Sequence, residues 1–150
     1  MDHAILVAAG TGIDGEKLSL HAKTVVAGIS QLKRLIIIAQ RAGIKRFTVI
    51  FDGGNQIKDS LKDEKRIKSE IIWHLVGSPI KFEQQPSLVL QSNLLINPAG
   101  LMSLMSTTVS EDEIALLVDE RKDPWVKIKT REDSVEEMFL DGGRAVGAFV

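Results

Sequence analysis

The sequence has 150 residues, of which 44% are apolar, and this composition suits one globular domain. Its 19 Lys and Arg residues nearly balance its 20 Asp and Glu residues, for a formal charge of −1. The chain therefore lacks the positive field that nucleic-acid binding requires. The absence of cysteine excludes disulfides, thiol nucleophiles and thiolate zinc sites, and the three histidines are too scattered to suggest a metal cluster.

The two ends of the chain bear on its compartment and completeness. The first three residues lack the positive charge of a signal peptide, and the apolar run 4–9 is far shorter than a membrane span of ~20 residues. We expect a cytoplasmic protein with no membrane span in this chain. The apolar end, residues 145–150, predicts a strand that enters a core, so either the fold ends on an edge strand or the chain is the N-terminal part of a longer protein. The need of so apolar a strand for a neighbour on both faces favours the second alternative.

Short apolar runs alternate with helical patterns in the first half of the sequence. Residues 4–9 predict a buried strand closed by a glycine turn, and residues 47–51 predict a second one that ends at residues 52–54. Between them, apolar residues in 29–42 recur every three or four positions and predict a helix capped by Gly43. These elements form a strand, loop, helix and strand in order.

The alternation continues after this unit. Residues 56–76 carry a rough helical stripe and predict a helix that lies on the sheet. Residues 88–90 predict a short buried strand, and Asn97 and Pro98 suit the N-cap and first position of another helix.

Two later strands complete the pattern. Residues 114–118 predict a buried strand, and residues 125–130 alternate apolar and charged as a half-exposed antiparallel strand does. Together the elements predict an open, mainly parallel α/β sheet with right-handed crossovers. Ligands bind such sheets at the carboxyl ends of the strands. The candidate ligand-binding segments are therefore residues 10–12, 52–54, 91–93 and Asp119.

The glycine loop alone has several interpretations. Residues 10–15 match the dinucleotide-binding pattern G-x-G-x-x-G, but the helix that should begin at once is expected only at about Ala27. A plain tight turn and a plain nucleotide-binding module therefore stay open at this point.

Three short motifs follow one another in the first third of the chain. Residues 6–12 read Leu-Val-Ala-Ala-Gly-Thr-Gly, Ala22-Lys23 comes next, and residues 42–44 read Ala-Gly-Ile before the second strand. Their order and spacing resemble the nucleotidyltransferases that couple a nucleoside triphosphate to a phosphorylated sugar or polyol. In that family a Leu-Ala-Ala-Gly-x-Gly loop, a Pro-Lys pair and an Ala-Gly-Ile turn occupy these places.

The later segments extend the resemblance over nearly all 150 residues. Residues 88–98 resemble the strand, metal carboxylate and Asp-Pro turn of the polyol-phosphate branch, notably the inositol phosphate cytidylyltransferases. Residues 117–120, 126–128 and 143–150 resemble later strands of the same branch. The resemblance implies a three-layer Rossmann-like fold of nucleotidyltransferase type, with helices on both faces of the sheet and one domain over residues 1–150.

The resemblance also implies a reaction and its partners. A polyol or sugar phosphate would attack the α-phosphate of CTP or another nucleoside triphosphate and release pyrophosphate, with the assistance of Mg²⁺. The resemblance also implies that such domains can be fused to, or associate with, a membrane-embedded phosphatidyltransferase, which this chain does not contain.

Site residues follow from the same resemblance. Lys23 corresponds to the lysine that neutralises charge on the α-phosphate, Lys127 to a contact with the acceptor phosphate, and Asn93 to the magnesium-binding Asp. Asp119 would hold ribose hydroxyls or a metal. The residues expected to bind the nucleotide are Ala8, Ala9, Gly10, Thr11, Gly12, Gly53 and Asp119.

The departures from the family pattern fall where the chemistry would be. The loop 11–15 has no arginine for the triphosphate, Asn93 replaces an Asp, and the segment 82–86 is too short for the family's covering loop. Lys23 and Lys127 also suit solvated lysines, and Asn93 and Asp119 suit loop caps. An alternative function is therefore a non-catalytic domain that keeps the fold to bind a nucleotide or a partner.

Overall fold

The structure, a computed structural model, describes residues 1–11, 17–79 and 87–109, together with the backbone of three later strands. In chain order the elements are β1 (His3–Val7), α1 (Leu18–Lys23), β2 (Val25–Val26), β3 (Ile29–Ser30), α2 (Gln31–Arg41), β4 (Arg46–Phe51), α3 (Asn55–Leu61), β5 (Glu70–Leu75), β6 (Leu88–Gln91), α4 (Pro98–Ser106), β7 (Lys127–Arg131), β8 (Ser134–Phe139) and β9 (Ala148–Phe149).

The central sheet has the strand order β5-β4-β1-β6-β9. β1 pairs in parallel with both β4 and β6, and β4 pairs in parallel with β5. β9 joins β6 in the antiparallel direction, so the strand predicted near residue 150 is present over two residues. The prediction of an open, mainly parallel α/β sheet is confirmed.

One face of this sheet carries the hydrophobic core. The strand residues on that face belong to one buried cluster, which includes Leu6, Phe47, Val49 and Leu90. The crossovers from β1 through α2 to β4 and from β4 through α3 to β5 run in the same direction across the sheet. Right-handed crossovers of this kind place α2 and α3 on the same face. A helical layer on the other face stays a prediction.

The prediction of one helix over residues 56–76 is wrong. α3 ends at Leu61, the chain turns at Asp63 with φ +67°, and residues 70–75 form β5 beside β4. Gln40 of α2 holds the end of this connection, directly before β5. Its Oε1 accepts hydrogen bonds from the N–H groups of Lys68 and Ser69 at 2.6 and 2.9 Å. The turn separates the apolar residues into two elements.

The expected start of the helix after the glycine loop is also wrong. α1 begins at Leu18 and buries Leu18 and Ala22, although it has only six residues. Ala27 lies instead in the turn between β2 and β3, with φ +49°. The loop between β1 and the first helix is therefore shorter than the sequence pattern indicated.

The remaining elements agree with the sequence where the structure describes them. β6 includes residues 88–90, and Asn97 Oδ1 accepts a hydrogen bond from Gly100 N at 2.7 Å as the predicted N-cap of α4. β7 is antiparallel to β8 and begins at Lys127. The strand predicted at 114–118 lies outside the described residues. Of the described helices, none has the length and apolar character to cross a membrane.

Candidate functional site

Three of the predicted segments meet at one edge of the sheet. Gly10 follows β1, Gly53 follows β4, and Asn93 follows β6. Because these strands are parallel neighbours, their carboxyl ends lie side by side. The structure thus brings these three positions together, as predicted.

The glycine loop leaves the sheet with its first residues buried. Ala8 and Ala9 are buried, and Ala8 N donates to Ile50 O of β4 at 2.9 Å. Gly10 and Thr11 are exposed, and Gly10 has φ +80°, a conformation that favours glycine. Gly10 O accepts a hydrogen bond from Leu18 N at 3.0 Å, which brings α1 back to the end of β1. Gly12 lies outside the described residues.

Ser92 connects this loop to β6; it lies within the candidate segment 91–93, but the sequence analysis assigned it no role of its own. Its fully buried hydroxyl donates to Leu18 O at 2.7 Å, and its N–H donates to Val7 O at 2.9 Å. A buried carbonyl is costly unless it is paired, so this bond fixes the start of α1 against the sheet. The only sequence signal was a small hydroxyl residue directly after a strand.

Lys23 is the last residue of helix α1. The sequence pattern instead predicted that Lys23 lies in the loop before a helix. Lys23 Nζ donates to Gln56 Oε1 at 2.9 Å; Lys23 is half-buried and Gln56 is exposed. Gln56 is the second residue of α3 and follows Gly53 by three positions. The bond therefore places the ammonium group of Lys23 beside the glycine turn at the end of β4. Gln56 was also missed by the sequence analysis.

The turn after β4 is built for close packing. Gly54 N donates to Asp52 Oδ1 at 3.2 Å, so Asp52 stabilises the turn through its own side chain. Gly53 has φ +92°, and a Cβ at this position would lie 3.2 Å from Leu75 Cδ1. The backbone conformation favours glycine here, and a larger residue would also displace the exposed Leu75 side chain slightly.

The other predicted residues are not brought to this edge by the described contacts. Lys127 is the first residue of β7, which pairs with β8 opposite Phe139, and the described pairing does not join β7 to the central sheet. Asp119 lies outside the described residues. The described part of the chain also contains no group of three or more His, Asp or Glu residues that could hold a metal. Asn93 offers one neutral amide oxygen, a weaker ligand for a hard divalent cation than the carboxylate of the family pattern.

The sequence matches no protein family model and no curated protein. Solved structures do match it over almost its whole length. The inositol-1-phosphate CTP transferase from T. maritima is 18% identical, with 99% of this chain and 69% of that chain covered and a TM-score of 0.69. The chain has the nucleotidyltransferase fold.

Two further structures share this fold. HddC from Yersinia pseudotuberculosis is 15% identical, with 99% of this chain and 76% of that chain covered and a TM-score of 0.61. The 4-diphosphocytidyl-2C-methyl-D-erythritol synthase from Anaerococcus prevotii is 16% identical, with 98% and 68% covered and a TM-score of 0.52. These similarities confirm the predicted resemblance to sugar-phosphate and polyol-phosphate nucleotidyltransferases at the level of the fold. That fold is Rossmann-like.

Proposed function

We propose that the chain is a nucleotidyltransferase that transfers a nucleotidyl group from CTP or another nucleoside triphosphate to a polyol or sugar phosphate. The observation that supports this most directly is the position of Lys23 at the ligand-binding edge of this fold, held there by Gln56. The names of two similar structures include CTP or a cytidyl group, which favours CTP. Another similar structure, HddC, was solved in complex with GMP-PN. The preference for CTP over other nucleoside triphosphates is therefore itself a proposal.

The proposed reaction is an in-line displacement at the α-phosphorus. An oxygen of the acceptor phosphate forms a bond to this phosphorus, while the bond to the bridging oxygen of the β-phosphate breaks and pyrophosphate leaves. The attacking phosphate is already an anion, so the step needs charge neutralisation and positioning more than a general base. An ammonium group is suited to this role, and Lys23 supplies one at the carboxyl edge.

Other residues have supporting roles in the proposal. The exposed backbone of Gly10 and Thr11 has little side-chain bulk in front of it, so a nucleotide can approach closely. Lys127 remains the proposed contact for the acceptor phosphate, and Asp119 the proposed contact for the ribose. Magnesium also stays a prediction, with Asn93 as its proposed ligand.

A second candidate function is nucleotide binding without catalysis. The sequence of the glycine loop favours it, because residues 10–15 contain no arginine to hold the triphosphate. The neutral Asn93 in place of a carboxylate points the same way, since hard divalent cations bind charged oxygens more strongly.

The first proposal, nucleotidyl transfer, also includes a cytoplasmic location and an association with a phosphatidyltransferase.

Pyrophosphate release tests the proposal. We would assay the four nucleoside triphosphates with inositol, glycerol and sugar phosphates, and expect turnover that is fastest with CTP. Replacing Lys23 with Ala should lower kcat/KM by about 10²-fold or more, the typical loss when one charge-stabilising group is removed. Lys45→Ala removes an exposed lysine directly before β4, at the amino ends of the strands. This control variant should leave turnover unchanged.

The outcomes distinguish the two functions. Turnover that is indifferent to Lys23→Ala would contradict the role of the lysine while leaving the activity in place. Triphosphate binding without pyrophosphate release under any of these conditions would instead establish the non-catalytic function.

A further inference from the structure

The ammonium group of Lys23 has a neutral hydrogen-bond partner. Its Nζ donates to the amide oxygen of Gln56 at 2.9 Å. The ion pairs in the described part of the chain are formed by other cations, namely Lys33, Arg46 and Arg66. An amide oxygen orients a cation without cancelling its charge. Because a lysine ammonium group has three N–H donors, two of them remain for an anionic ligand.

The hydrophobic core fixes the backbone on both sides of this hydrogen bond. Ala22, directly before Lys23, and Ile57, directly after Gln56, are 1% and 2% exposed and belong to the same buried cluster. The remaining freedom is therefore that of the two side chains. A lysine side chain has many rotamers, and ordering it when a ligand binds costs free energy. The hydrogen bond restricts these rotamers in the folded chain itself.

We propose that Gln56 is a positioning residue that holds the ammonium group of Lys23 ready for a phosphate group of the nucleotide. This inference rests on the proposed function, in which Lys23 neutralises charge on the α-phosphate. Gln56 lowers the ordering cost of binding, because the lysine is already oriented at the carboxyl edge before the ligand arrives. The triphosphate then approaches an oriented cation.

The neutrality of Gln56 is as important as its position. Glutamate has nearly the same shape, but its carboxylate would form an ion pair with Lys23 and compete with a phosphate for the ammonium group. The added negative charge would also repel the triphosphate. An amide at position 56 orients the lysine and leaves its charge available, whereas a carboxylate would orient the lysine and reduce that charge.

A double-mutant cycle tests whether Gln56 acts through Lys23. We expect Gln56→Ala to lower kcat in the pyrophosphate assay by about 2- to 10-fold, the net effect of one hydrogen bond. In the Lys23→Ala background the same substitution should have no further effect, because the group that it positions is gone. The Tm should stay unchanged, since Gln56 is exposed. An unchanged kcat in Gln56→Ala, or losses that multiply in the double variant, would overturn the proposal.

Gln56→Glu tests the requirement for a neutral partner. We expect the Kd of the triphosphate to rise by about 10-fold, more than in Gln56→Ala, since the carboxylate pairs with Lys23 and repels the phosphates. Asn55→Asp is the matched control, because it adds the same charge at the preceding exposed position, which does not hydrogen-bond to Lys23. This control should raise the Kd less. Equal effects of Gln56→Glu and Asn55→Asp would contradict the proposal.

Failure of this inference is distinguishable from failure of the proposed function. Turnover that falls in Lys23→Ala but not in Gln56→Ala would contradict this inference alone. If the parent binds a triphosphate without releasing pyrophosphate, the catalytic function is contradicted and the cycle is measured through the Kd. Gln56→Ala should then raise the Kd only when Lys23 is present, and a rise without Lys23 would overturn the inference. A parent that binds no triphosphate would contradict both.

Discussion

Gly10 and Gly43 form a matched pair of glycines at opposite edges of the sheet. Their φ angles are +80° and +112°, and an added Cβ would meet no atom within 4 Å at either position. Alanine should therefore introduce backbone strain alone, about 1–2 kcal/mol. We expect Gly10→Ala and Gly43→Ala to lower the Tm similarly, by ~2–8 °C. Only Gly10→Ala should weaken triphosphate binding.

Calorimetric titration with the triphosphate checks this expectation. Gly43→Ala controls for the general loss of stability, because its strain is comparable and it lies away from the carboxyl edge. If Gly10→Ala bound the triphosphate as tightly as the parent, the glycine loop would not belong to the site.

At the same scale, the sequence predicted roles for Lys23 and the glycine loop but missed the contacts that hold them. Lys23 and Gln56 are 33 positions apart, and Ser92 and Leu18 are 74 positions apart. Hydrogen bonds over such separations depend on how the elements pack, and no local pattern records them. The small, exposed residues of the loop were recognisable because their identity itself determines backbone freedom.

Among the elements, the buried parallel strands were predicted well and the edge strand β5 was not. β1, β4 and β6 are apolar runs bounded by turns, a pattern with few alternative interpretations. β5 is half-exposed, and the preceding α3 supplied apolar residues at a spacing that continued into it. The run Ile71-Ile72-Trp73 is β-branched and aromatic, which favours a strand, but the helical stripe obscured this signal.

The segment between α3 and β5 is held by a charged cluster centred on Glu64. Its carboxylate accepts hydrogen bonds from Arg66 Nε and Nη2 at 2.7 and 2.8 Å, and Lys33 Nζ of α2 lies 3.3 Å away. The Arg66 guanidinium, followed by the Arg66 backbone N–H and Lys33, lowers the pKa of Glu64 from 4.5 to about 2 against an opposing effect of burial. The charged form is thus favoured in the folded state.

This shift predicts a specific pH dependence of stability. Because the folded pKa is below the unfolded one, the contribution of Glu64 is complete above about pH 4.5 and is lost as the pH falls towards 2. We expect Glu64→Gln to lower the Tm at pH 7 and the difference from the parent to shrink between pH 4.5 and 2. Asp59→Asn removes an exposed carboxylate of α3 and serves as control. A difference that stays constant with pH would contradict this role.

For the whole molecule, the parallel order of the strands explains why the meeting of the three candidate segments at one edge could be predicted when their contacts could not. Once β1, β4 and β6 are parallel neighbours, their following residues must share an edge. The alternation of strand and helix patterns along the chain already predicts this parallel arrangement. The predictions for Asp119 and for the strand 114–118 concern residues outside the described part, and they stay predictions.

Ligand binding at this edge should stabilise the whole domain. A triphosphate that binds only the folded state adds about 2.7 kcal/mol at a concentration of 100 Kd. For a chain of 150 residues this corresponds to a rise in Tm of ~5–11 °C. We expect thermal unfolding to show such a rise, largest with CTP among the four triphosphates. The rise should be smaller in Lys23→Ala, because this variant removes the proposed contact between the ammonium group and the phosphates.

The same measurement separates the two proposed functions when it is combined with the pyrophosphate assay. A catalytic domain and a purely nucleotide-binding domain should both show the rise in Tm, but only the catalytic one should release pyrophosphate in the presence of an acceptor phosphate. Lys45→Ala should match the parent in both experiments, since its side chain lies at the opposite edge of the sheet. If no triphosphate raised the Tm of the parent, both functions would be contradicted, because each requires the carboxyl edge to bind a nucleotide.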